Sequence, residues 1–86
     1  MIERKYAIFY NKTYEVLLNL KEHEITVNNV TYSPLIFRDI GSEVGLVRQT
    51  VSLYIQQLED AGYIKILQKG KIQITEEGNK AIKQLK

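Results

Sequence analysis

Cysteine is missing from all 86 residues. That excludes disulfides, thiolate-held zinc, iron–sulfur clusters and cysteine nucleophiles. Histidine occurs once, as His23, so a histidine metal site or catalytic dyad lacks its usual second member. Tryptophan is absent, and Pro34 is the single proline. No apolar run approaches the roughly 18 residues of a membrane span. Met1-Ile2-Glu3-Arg4-Lys5 leads into a stretch with Tyr6, Tyr10, Asn11 and Lys12, which is no apolar signal-peptide centre. A cytoplasmic protein is expected. Nor is there a phosphate-binding glycine loop or a nucleophile with a base beside it, so the sequence argues against an enzyme and gives no reason to invoke a cofactor.

What is present suits one small domain. The hydrophobic fraction is 44% and the charged fraction 26%, ordinary for a soluble globular chain and unlike a disordered one. A chain this short holds one core and has little room for a second, ligand-sensing unit, and no small-molecule ligand is evident. Net charge is only +2, but it is unevenly spread. Residues 1–33 balance to zero. Residues 34–62 carry Arg38 and Arg48 against Asp39, Glu43, Glu59 and Asp60. Residues 63–86 carry six lysines against Glu76 and Glu77. The excess positive charge therefore sits in the last quarter, where it is either a solvated face or a polyanion contact.

Periodicity divides the chain. Tyr6, Tyr10 and Tyr14 recur every fourth residue, and Leu17, Leu18 and Lys21 continue that face, which predicts an amphipathic helix over about 12–22. The first residues read equally as an arm or a short strand. Ile25 to Tyr32 alternates around Asn28-Asn29, a pair that tolerates positive φ and suits a tight turn. Ser33-Pro34 has the form of an N-cap and first helical residue, predicting a helix to about Val44 with Gly45 as its stop. A further helix is predicted over 47–61, with Val51, Ile55 and Leu58 inward and Arg48, Gln49, Ser52, Gln56 and Glu59 outward. Gly62 stands where a helix stop requires glycine. The period then changes to two: Ile64 and Ile66, a turn at Lys69-Gly70, then Ile72 and Ile74, a hairpin with one apolar face. Thr75 caps a last helix from Glu76 to Lys86, with Ala81, Ile82 and Leu85 as its apolar residues.

Two helices joined by a glycine-containing turn and followed by a hairpin make a winged helix-turn-helix. The segment Ile40-Gly41-Ser42-Glu43-Val44-Gly45-Leu46-Val47-Arg48-Gln49-Thr50-Val51-Ser52 resembles the helix-turn-helix of winged-helix transcription regulators. Leu58-Glu59-Asp60-Ala61-Gly62-Tyr63-Ile64 is similar to the end of their recognition helix. Ile72-Gln73-Ile74-Thr75-Glu76-Glu77-Gly78 resembles the return strand and helix start of the MarR, PadR and TrmB-like groups. The resemblance covers about residues 34–86. It implies an α+β, mainly α fold: a three-helix core, a two-stranded wing and a C-terminal helix. The expected organisation is one domain over 1–86, with an arm or strand at 1–11, the helix-turn-helix at 34–61, the wing at 62–75 and the terminal helix at 76–86.

The function implied is sequence-specific binding of double-stranded DNA as a transcriptional regulator, with helix 47–61 in the major groove and wing 65–73 on the backbone. The family pattern makes Arg48, Gln49, Thr50 and Ser52 the groove-facing start of the recognition helix. Arginine pairs bidentately with guanine and glutamine with adenine, while Ser and Thr take base edges or phosphate. Gln56 lies further along the same outer side, and Lys69 and Lys71 flank the wing tip as phosphate contacts. The chain departs from the pattern at Val47, which cannot cap the helix, at Leu53, where a basic residue is common, and at Gln56-Gln57. A weakly charged reader is expected to gain from dimerisation. The surplus of Tyr6, Ile8, Phe9, Tyr10, Tyr14, Val16, Leu17, Leu18 and Leu20 in the first 22 residues, with Ala81, Ile82 and Leu85 in the terminal helix, suggests a homodimer surface; the rival is a monomer whose N-terminal segment folds back over its own domain. The competing reading is a winged helix used for protein contact, or within a replication or partition assembly.

Overall fold

A computed structural model describes residues 12–85 of the chain. The proposed N-terminal arm at 1–11, with Tyr6, Ile8, Phe9 and Tyr10, lies outside the described residues. The elements run α1 (Thr13–Glu22), β1 (Ile25–Val27), β2 (Val30–Tyr32), α2 (Phe37–Val44), α3 (Arg48–Asp60), β3 (Ile64–Gln68), β4 (Lys71–Ile74) and α4 (Glu76–Leu85). Four helices and two antiparallel hairpins make the α+β, mainly α winged helix-turn-helix.

Helix α1 brings part of the expected face to the core, and Tyr6 and Tyr10 of that face lie outside the described residues. Thr13, Val16, Leu17, Asn19 and Leu20 are buried. Tyr14 and Leu18 pack at the margin. Lys21 points outward, paired with Glu24 at 3.0 Å and bonded to Asn79 Oδ1 at 3.0 Å. Val16, Leu17 and Leu20 form the inner seam, because α1 must pack between α2 and α3.

The first hairpin turns at Asn28 and Asn29, both in the left-handed region at φ 52° and 65°. It pairs Ile25 with Tyr32 and Val27 with Val30, and Thr26 and Thr31 bond through their hydroxyls at 2.8 Å on the other face. The Ser33 reading is corrected here. Ser33 does not cap a helix at Pro34; α2 begins at Phe37, with Ile36 as its uncapped N-cap. The Ser33 amide and carbonyl instead pair with Ile72 of β4, at 2.7 and 3.0 Å. Those two bonds satisfy the main chain of a fully buried residue, whose hydroxyl has no partner, and the residue preceding a proline already favours extended backbone. Tertiary pairing therefore overrides a local capping signal.

Helix α2 packs on α3 through a close backbone approach at Gly41, which is buried. The Leu46 amide returns to the Gly41 carbonyl at 2.9 Å, and a side chain on Gly41 would meet the Leu46 carbonyl oxygen. Helix α3 buries Val51, Ile55 and Leu58 as the periodicity requires. It stops in a Schellman motif: the Gly62 amide bonds Glu59 O at 3.0 Å and the Tyr63 amide bonds Leu58 O at 2.9 Å, with Gly62 at φ 83°.

In the wing, Ile64, Ile72 and Ile74 are buried, while Ile66 is 36% exposed. The expected single apolar face is present, with Ile64 opposite Ile74 and Ile66 opposite Ile72, and a bulge between Ile66 and Gln68 interrupts the register beyond it. Thr75 caps α4, accepting from the Gly78 amide at 3.1 Å and donating to Gly62 O at 2.6 Å. Ala81 and Ile82 belong to the same core as α1, α2 and α3. Both are consumed inside the domain, so neither belongs to a free patch, and the side chain of Leu85 lies outside the described residues.

Candidate nucleic-acid interface

The first turn of α3 has no side-chain cap, because Val47 has no acceptor to offer the helix amides. Val47 O receives the Thr50 and Val51 amides at 3.0 Å each. The Arg48 and Gln49 amides lie ahead of these, at the positive end of the helix dipole. Arg48, Gln49, Ser52 and Gln56 are exposed, and Thr50 is half-buried. The sequence-derived reading residues thus lie on an open helix surface.

Three cations converge from separate elements. Arg38 comes from the first turn of α2, Arg48 from the start of α3 and Lys69 from the wing tip. With Gln68 they line a groove of about 620 Å³, whose apolar lining comes from Leu35, Phe37, Ile66 and Ile72. Among the described residues, none of the ion pairs engages Arg38, Arg48 or Lys69. Arg38 was not singled out from sequence, although it is one of only two basic residues in the acidic 34–62 stretch. Its signal was that isolation; its meaning depended on where α2 begins. The Lys71 ammonium stands 5.1 Å from the Tyr32 ring centre, a cation–π contact that turns it toward the first hairpin rather than toward Arg48.

Of the acidic groups of the middle segment, Asp39 stands beside Arg38 in the first turn of α2, and the other three lie elsewhere. Glu59 and Asp60 occupy the far end of α3 from Arg48. Glu43 accepts from Asn19 Nδ2 at 2.6 Å and lies 2.8 Å from His23 Nε2. The Asn19 amide first, and then the His23 ring, hold its carboxyl below the usual carboxylate range. Glu15, Glu22 and Glu43 line a smaller hollow of about 300 Å³ on the α1–α2 side. Among the described residues, no cluster of three His, Asp or Glu side chains is placed to hold a metal, and no helix is long and apolar enough to cross a membrane.

A helix-turn-helix with an exposed second helix, a wing and unpaired cations between them defines a winged helix-turn-helix of the DNA-binding regulator class. More narrowly, the chain belongs to the Crp-like helix-turn-helix domain family, whose model matches residues 12–78. This corrects the grouping suggested by the wing and terminal-helix motifs: the match is to the Crp-like domains and not to the MarR, PadR or TrmB-like groups. No curated protein matches the sequence. Among solved structures, the chain is similar to the reduced, Fe(II) CO-sensing protein from R. rubrum, with a TM-score of 0.75 and 18% identity, over 92% of this chain and 39% of that one. It is also similar to a transcriptional regulator of the CRP/FNR family from Thermus thermophilus, with a TM-score of 0.64 and 25% identity, over 93% of this chain and 45% of that one. The chain therefore spans less than half the length of either.

Proposed function

We propose that this chain binds double-stranded DNA sequence-specifically as the reading part of a cytoplasmic transcriptional regulator. The observation that carries the reading is the convergence of Arg38, Arg48 and Lys69 on one groove beside the exposed start of α3. Arg48, Gln49, Ser52 and Gln56 face base edges in the major groove, with Thr50 supporting them from its half-buried position. Arg38 and Lys69 hold phosphates on either side, and Lys71 adds charge from the flank of the wing. The family supports the same division of labour, since phosphate contacts position a recognition helix and base contacts give it specificity.

The homodimer belongs to this proposal. Three groove cations make a weak grip for one copy, and two copies on adjacent half-sites about one helical turn apart multiply it. With Ala81 and Ile82 spent on the core, the apolar surplus of 1–11 is the remaining sequence support for an interface. Selection of bound duplexes from a random pool tests the main reading: recovery of a defined, twofold-symmetric site supports it. Failure to retain any duplex at low salt refutes it and leaves the protein-contact reading. Sedimentation equilibrium at micromolar concentration tests the assembly, where a 10.0 kDa species with and without DNA removes the dimer.

A further inference from the structure

The outer surface of α3 carries two apolar residues where a DNA reader commonly carries charge. Val47 is 65% exposed and Leu53 54% exposed, the highest values among the large hydrophobic side chains of the described residues. Neither packs on the core. Leu53 stands four residues from Gln49 and three from Gln56, so the three form one stripe, opposite the stripe of Val51, Ile55 and Leu58 that faces inward. Val47 stands at the entrance of the same helix, directly before Arg48. A branched apolar side chain held against base edges has one chemical partner in the major groove, the C5-methyl group of a pyrimidine. Leucine donates and accepts no hydrogen bond, so guanine and adenine edges gain nothing from it, and cytosine presents an amino donor that it would leave unpaired.

We infer that Leu53 and Val47 are specificity-determining residues that read thymine by its 5-methyl group. This rests on the DNA-binding reading above and deepens it: the preferred half-site carries thymine opposite Leu53, where a basic side chain would have called for guanine. Gln49 and Gln56, on either side of Leu53 in the stripe, suit adenine edges, so the stripe as a whole favours an A·T-rich block. Arg48 stands at the end of the helix nearest the wing, where guanine or phosphate is its partner.

The test uses the full chain and the duplex recovered by selection. Each T·A pair is replaced in turn by uracil paired with adenine, which removes the methyl group and leaves every hydrogen-bonding group in place. Wild-type protein should lose about fourfold in affinity at one or two positions per half-site, the effect of burying one methyl group. Leu53→Ala should bind thymine and uracil equally at one of those positions and keep the sensitivity at the other. Val47→Ser should do the reverse, while its hydroxyl caps α3 and raises the thermal midpoint. A merely structural role for Val47 cannot produce that combination. Both positions are exposed, and circular dichroism with urea unfolding confirms that each variant folds. If uracil weakens binding at no position, or if Leu53→Ala retains the full wild-type pattern of sensitivity, the inference is overturned while DNA binding stands. If no duplex is bound at all, both readings fall together.

Discussion

The angle between α2 and α3 depends on one residue, and Gly41→Ala tests how. Helix propensity alone favours alanine at this position by about 1 kcal/mol. The structure predicts the opposite sign. A Cβ on Gly41 would lie 2.5 Å from the Leu46 carbonyl oxygen and 3.3 Å from Val51 Cγ2. The nearer neighbour is backbone, and it cannot rotate away. It is tied further by the Leu46 and Gly45 amides, each bonded to Gly41 O at 2.9 Å. Reaching an ordinary contact requires the turn to retreat by about 0.9 Å, which strains both bonds. Overpacking of this kind costs about 1–3 kcal/mol, and a backbone partner places it at the upper end. After the propensity gain, a net loss of about 2 kcal/mol remains. For a domain of this size the urea slope is near 1 kcal/mol/M, so the midpoint should fall by about 1–2 M at unchanged slope. Ser42→Ala, the exposed neighbour in the same helix, is the control and should leave the midpoint unchanged or slightly higher. The displaced turn also moves Arg48 relative to Arg38, so DNA affinity should fall with stability. A Gly41→Ala protein with a raised midpoint would show that the close approach has no energetic weight, and the account of the helix-turn-helix angle would be wrong.

Arg48→Ala should cost about 1–3 kcal/mol of specific binding and relax preference at one base position in a repeated selection, whereas Arg38→Ala should weaken all duplexes alike; identical base preferences for the two variants would contradict the division into reader and phosphate clamp. Lys69→Ala should flatten the dependence of log affinity on log salt by about one unit, the effect of one lost phosphate contact, and Lys71→Ala by less, because that ammonium rests on Tyr32; the reverse order in a salt titration would place the wing differently on DNA. Glu43 has its folded pKa lowered by Asn19 and His23, so its contribution is present above the ordinary carboxylate value and is lost as pH falls through the lowered one. Glu43→Gln should therefore be less stable at neutral pH and show a shallower loss on acidification below about pH 4, and parallel acid limbs in thermal melts would refute that linkage.

The parts of the fold that were legible in the sequence are those set by local chemistry. Asn28-Asn29 named its turn, Val51, Ile55 and Leu58 named the inner face of α3, and Gly62 and Thr75 named a stop and a start. Each works within a few residues of itself. The misreadings all came from partners far along the chain. Ser33 looked like a cap until Ile72 claimed its backbone. Ala81 and Ile82 looked available until the core closed over them. The same division holds at the candidate site. The outward residues of α3 followed from helical period, while Arg38 joined them only because α2 begins at Phe37, after Ser33 has paired with Ile72 of the wing.

The backbone bridge from Ser33 to Ile72 also bears on how cooperatively the molecule assembles. It joins residues thirty-nine positions apart, whereas the turn joining α2 to α3 closes within a few residues. Closing so long a loop is entropically expensive. The packing of α1 on α3 is equally non-local, so helices and wing share one cooperative unit, in which two amide–carbonyl bonds and the side chains of Ile64, Ile72 and Ile74 tie the hairpin to the core.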